Sequence, residues 1–230
     1  MLMLLTGCVL GVVQGIRHAF EPDHLAAVST MVAEQRSART SVVYAAAWGA
    51  GHALVLTLVG AALFVLRATM PERLGNLFEL LVGIMLITLG VRTLHRAVVT
   101  RRGGPMVAHV HGVISHRHGG DPDHVHLRRW TLARRPLLVG IVHGLAGSGA
   151  LTAMVVARCS SMADGILFIT LYGAGATLGM AVLAGVAGAP LARLARMRMG
   201  RPVLLAITGI LSLGLGLVWS FSAAVRVGGG

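Results

Sequence analysis

Apolar runs about as long as a bilayer is thick recur along the 230-residue chain, and they decide what it can fold into. Roughly 20 apolar residues cross a hydrocarbon layer as a helix. Six runs of this kind fall at about 2–33 (interrupted), 42–66, 77–91, 136–157, 163–189 and 203–225. Charged residues make up 12% of the chain, about half the roughly 25% of a soluble domain. A water-soluble globule is excluded. The expectation is an all-α polytopic membrane protein of about six transmembrane helices, with the lipid bilayer as its solvent.

The net charge of +12 comes from arginine alone, since the chain has no lysine. With alternating spans, fifteen of the twenty arginines fall on one face, in the connections near 34–41, 92–135 and 190–202. Arg67, Arg73, Arg158 and Arg226 fall on the other, and Arg17 lies inside the first span. The positive-inside rule puts the rich face in the cytoplasm. Both termini are then outside a cytoplasmic (inner) membrane, and the charge reports topology, not a nucleic-acid partner. Cys8 and Cys159 sit in or beside apolar runs, so no disulfide framework is implied. Leu5-Thr6-Gly7-Cys8 looks like a lipoprotein cleavage site, but no basic segment precedes it.

The two halves echo each other. Gly15-Ile16-Arg17-His18 aligns with Gly140-Ile141-Val142-His143, Trp48-Gly49-Ala50-Gly51 with Tyr172-Gly173-Ala174-Gly175, and Gly83-Ile84 with Gly209-Ile210. Three spans per repeat is an odd number, so the second copy enters the membrane upside down. Inverted repeats of this kind characterise secondary transporters, whose sites lie near the midplane at broken helices. The expected organisation is a first three-helix repeat over 1–91, a His-rich cytoplasmic loop over 92–135 and a second three-helix repeat over 136–230.

One polar cluster interrupts the first span: His18-Ala19-Phe20-Glu21-Pro22-Asp23-His24. A carboxylate deep in a bilayer costs about 2.5–3.5 kcal/mol on insertion scales, so it marks a function or a tightly paired structural knot. Imidazole nitrogen and carboxylate oxygen suit Ni²⁺, Co²⁺ or Zn²⁺. Pro22 has no amide hydrogen and its ring clashes with the carbonyl of His18, which bends the helix and lets His18, Asp23 and His24 face one centre. Its counterpart in the second half, Gly144-Leu145-Ala146-Gly147-Ser148-Gly149, is also poor helix sequence. Glu21 is read as orienting a histidine, and Arg17 as a counter-ion or a snorkelling residue. His52 in the second span and His143, the repeat counterpart of His18, are further ligand candidates weighed against ordinary packing histidines. Glu79, near a span end, is read as an interface anchor. No tightly bound cofactor is expected, and the metal would be cargo.

Between the third and fourth spans, His109, His111, His116, His118, His124 and His126 form three His-x-His pairs. A tract of this composition can collect metal. Gly103-Gly104-Pro105 and Gly119-Gly120 argue that it is flexible and unfolded.

The segment from His18 to His24 resembles the H-x4-D-H signature of the NiCoT nickel/cobalt transporter family, and Gly51-His52 is similar to that family's second histidine motif. The resemblance implies a permease for Ni²⁺ and Co²⁺, with His18, Asp23 and His24 on the metal path and His52 assisting. Length and span number are closer to the short UreH-like members, associated with urease and other nickel enzymes, than to the eight-helix permeases. Two departures stand out. Longer members carry an acidic motif in a later helix where this chain has residues 144–149, and Pro22 stands where alanine is usual.

Uptake is the favoured vector, because the signature is the one uptake permeases show. Efflux is the main rival, since a His-rich loop is similar to efflux proteins; a membrane-embedded assembly factor that hands on metal is another. His18-x4-Asp23 also spells the motif of glycerolipid acyltransferases, whose Glu-Gly-Thr-Arg-like block is missing here, and no H-E-x-x-H or G-x-S-x-G motif is present. The expectation is a protein that is not an enzyme.

Overall fold

The computed structural model describes residues 2–35, 37–101, 106–111, 114–119, 134–158, 161–194, 197 and 199–228, with 2–6, 106–111, 114–119, 134, 148–150, 152–154 and 156–158 described by backbone alone. Among them are seven helices: α1 (Leu2–His18), α2 (Pro22–Glu34), α3 (Ala38–Val65), α4 (Glu72–Arg101), α5 (Arg134–Arg158), α6 (Met162–Leu194) and α7 (Gly200–Gly228). Four of these, α3, α4, α6 and α7, are long and apolar enough to span a bilayer. Such a set of helices is a polytopic membrane bundle. Leu58, Val186 and Phe221 are exposed on its outside, where lipid tails take the place of a protein partner.

The first expected span is two helices. In a continuous helix the His18 carbonyl would accept from residue 22, but proline cannot donate. Glu21 N–H donates to it instead at 3.0 Å, and Phe20 N–H donates to Arg17 at 3.0 Å. The last turn of α1 thus tightens to i→i+3 bonds, which keeps the carbonyls at the break satisfied. Pro22 then serves as the first residue of α2, where its fixed φ is pre-set for a helix.

The matching break expected in the second half does not form, because α5 runs unbroken through residues 144–149. Glycine costs a helix about 1 kcal/mol per residue in water, but in lipid an unpaired peptide group costs more. These glycines serve packing instead: a Cβ on Gly144 would stand 2.7 Å from the His52 carbonyl oxygen.

Glycine contacts between the halves are reciprocal. A Cβ on Gly15 would collide with the carbonyl of Tyr172, and one on Gly140 with the carbonyl of Trp48. Gly49 meets Thr177 as Gly173 meets Ala53, and Gly83 faces Gly216 as Gly90 faces Gly209. Each contact maps onto its partner under the sequence offset of about 125 residues. These pairs also fix directions: α1 runs parallel to α6, α3 parallel to α5, and α4 antiparallel to α7. The bundle therefore has an arginine-poor end, where α4 begins and α7 finishes, and an arginine-rich end.

Two boundaries differ from expectation. Helix α4 continues past residue 91 to Arg101, because Glu34 at the end of α2 receives its arginines: Arg96 Nη1 lies 2.7 Å and Arg92 Nη2 3.8 Å from Glu34 Oε2. The connection after it is not wholly unfolded either. Strands β1 (Met106–His111) and β2 (Ile114–Gly119) pair antiparallel, with His109 opposite His116 and Val107 opposite His118. Backbone pairing over six residues outweighs the breaking tendency of the flanking glycines. His124 and His126 lie outside the described residues.

Candidate metal centre

Four helices bring five side chains to one point. His18 ends α1, Asp23 and His24 open α2, His52 sits in the middle of α3 and His143 in α5. The four histidines are between 0% and 8% exposed. His18 Nε2 and His52 Nε2 are 3.2 Å apart. Asp23 divides its carboxylate: Oδ1 lies 3.0 Å from His24 Nδ1 and accepts the His24 backbone N–H at 2.9 Å, while Oδ2 lies 2.8 Å from His143 Nε2. The rings of His24 and His143 are 4.1 Å apart, and those of His18 and His24 4.3 Å.

This packing leaves specific atoms unused. His24 Nε2 is buried without a hydrogen-bond partner, as are the Nδ1 atoms of His52 and His143. A buried nitrogen without a partner costs about 1–3 kcal/mol, so a cluster of them is poised for something to arrive. With Asp23 Oδ1 accepting a hydrogen bond from the Nδ1–H of His24, Nε2 carries the lone pair, the arrangement that orients metal-binding histidines. Ligand atoms of His18, His24 and His52 lie within 4.8 Å of one another, and so do those of Asp23, His24 and His143. Either group could hold a divalent ion. His24 belongs to both.

Glu21 stands at the edge of this centre. Its Oε1 is 3.0 Å from His18 Nδ1, an ion-pair distance without hydrogen-bond alignment, and its side chain is 54% exposed. Arg17 is exposed and forms no direct ion pair with a carboxylate among the described residues. The histidines of the hairpin belong to a segment that follows the arginine-rich end of α4.

A cavity of about 760 Å³ reaches the centre, with His18, Asp23, His24 and His143 on its floor. Its other lining residues, among them Gln14, Leu151, Trp219 and Arg226, all lie from the site toward the arginine-poor end of their helices. On the other side Val28, Trp48, Leu86 and Met180 pack into one buried cluster. Access is therefore one-sided. Glu79 and Arg226 form an ion pair on the cavity wall between α4 and α7, a partner for Glu79 that sequence reasoning missed.

Trp48 and Tyr172 were not singled out from sequence either. The Trp48 indole lies 5.5 Å from both His24 and His143, and Tyr172 lies 5.4 Å from His18. A signal did exist, because the repeat alignment pairs these two aromatics with each other.

Fold and site together define a helical membrane protein with a buried histidine–carboxylate cluster at the end of a one-sided cavity. Urease accessory protein UreH of Bacillus sp. (strain TB-90) is 30% identical over 226 residues, covering 98% of this chain and 95% of that protein. The chain belongs to the NiCoT nickel/cobalt transporter family, in its UreH-like branch. No family model and no solved structure matches it.

Proposed function

We propose that the protein is a permease carrying Ni²⁺ or Co²⁺ across the cytoplasmic membrane, in the direction of uptake, and so supplying nickel or cobalt enzymes. The observation that carries this reading is the meeting of His18, Asp23, His24, His52 and His143 from four helices, at the blind end of a cavity. The arginine-poor end faces outward by the positive-inside rule, which puts both termini outside.

An ion enters through the cavity and exchanges water for the imidazoles of His18, His24 and His52. Asp23 holds the tautomer of His24 and ties in His143, and Glu21 orients His18 from the rim. Neutral imidazoles bind the ion through their lone pairs. Trp48, Leu86 and Met180 bar the way until the two halves rock about the site, as in transporters built from inverted repeats. The hairpin and the segment after it, with His109, His111, His116, His118, His124 and His126, collect metal on the cytoplasmic face. The ion is cargo, and no bond is made or broken in it.

Radiolabelled nickel flux into proteoliposomes tests the reading. Wild type should transport, and His24→Ala should lose about 100-fold or more, the scale of removing a shared ligand. Equal flux in both overturns it. The cytoplasmic histidines also favour a second reading, export, which predicts that expression lowers rather than raises cellular nickel. Tight binding with no flux in wild type would favour an assembly factor.

A further inference from the structure

The cavity carries a guanidinium that a path for a bare dication has no use for. Arg17 lines it one residue before His18, and Gln14 lines it one turn earlier on α1. Residues three apart on a helix share a face, so Arg17 and Gln14 present donors side by side. Arg226 differs: it is engaged with Glu79.

Charge balance gives Arg17 a meaning. Among the lining residues Glu21, Asp23 and Glu79 are acids, and Arg17 and Arg226 are basic. With neutral imidazoles the cavity carries one net negative charge, so a divalent ion leaves one positive charge in excess. One carboxylate brought in with the ion would cancel it, and a guanidinium is the side chain best shaped to receive a carboxylate. Space is not limiting. Six waters around an ion take roughly 180 Å³ at about 30 Å³ each, and the cavity holds about 760 Å³.

We propose that the substrate received at the outer side is a divalent ion already complexed by a small carboxylate ligand, with Arg17, assisted by Gln14, docking the carboxylate. The proposal rests on the transport reading. Arg17 is a specificity residue for the accompanying anion, and His18, His24 and His52 take the metal from the chelate's open coordination positions.

The test is radiolabelled nickel flux into proteoliposomes of the full chain at a fixed free-ion activity, with and without added nickel–lactate complex, whose ligand brings a single carboxylate. Wild type should gain roughly tenfold from the complex, the size of one charge-assisted hydrogen bond. Arg17→Gln should lose that gain while its flux from the aqua ion stays equal or rises. Arg17→Lys, which keeps the charge without the planar fork, should keep aqua-ion flux and lose at least about half the gain, so the result stands if Arg17→Gln fails to insert. Wild-type flux that follows only the free-ion activity overturns the proposal, as does a full gain in the two variants. Absence of any flux in wild type would instead sink the transport reading itself.

Discussion

His18 Nε2 stands 3.2 Å from His52 Nε2, across the interface between the end of α1 and the middle of α3. Two nitrogens bound at about 2.0–2.1 Å to one ion, at right-angled or tetrahedral geometry, stand roughly 2.8–3.4 Å apart. The spacing fits two ligands of one metal, as it fits a hydrogen bond between the rings. Only one of the two nitrogens carries the shared proton, and for an ion to bind both, that proton moves to the Nδ1 of the same ring, which leaves the imidazole neutral and the rings in place.

His24 is common to both ligand groups, so it should be the most sensitive position. His24→Ala should reduce nickel affinity, measured by titration calorimetry on detergent-purified protein, by more than His52→Ala or His143→Ala. Equal losses at the three positions would show that no ligand is shared.

Asp23→Asn keeps the shape of the side chain but can offer its amide nitrogen as a donor where Asp23 only accepts. Asparagine keeps a single oxygen, so the side chain can no longer accept from His24 Nδ1 and His143 Nε2 at once. Affinity should fall by about 10–100-fold, the usual cost of losing a partner of a metal-binding histidine. Asp23→Glu should not restore it, because the longer chain cannot serve both histidines from the second position of α2.

Close packing at the half-to-half contacts predicts a graded stability series. Gly15→Ala and Gly140→Ala place a methyl against the carbonyls of Tyr172 and Trp48, and each should cost about 1–3 kcal/mol or more in a detergent melt. Gly7→Ala, where a Cβ meets nothing within 4 Å, is the control and should melt at or slightly above wild type, since alanine favours a helix over glycine.

One-sided access can be read by thiol labelling. In a background lacking Cys8 and Cys159, a cysteine replacing Gln14 or Ser222 lines the cavity and should react with an impermeant reagent added outside intact cells. A cysteine replacing Val28, which is buried in the packed cluster on the other side, should stay unlabelled. Labelling of Val28→Cys from outside would place the opening at the wrong end.

Much of this was legible in the chain. The apolar runs specify the bundle, and Pro22 specifies the break, because a missing donor leaves the His18 carbonyl to find another partner. Residues 144–149 misled, since glycine weakens a helix in water but draws helices together in lipid. Distances over more than 100 residues, such as Asp23 to His143 or Glu79 to Arg226, carry no local signal. Glu34 was invisible for the same reason: nothing near it in sequence shows that Arg92 and Arg96 will extend α4 to meet it.

X-ray absorption at the nickel edge, on protein whose histidines between 106 and 126 are replaced by serine, tests the centre most directly. The account predicts about three imidazole nitrogens around the bound ion, and their loss in the same protein carrying His24→Ala. A shell of oxygens alone, or an imidazole signal unchanged by His24→Ala, would contradict it.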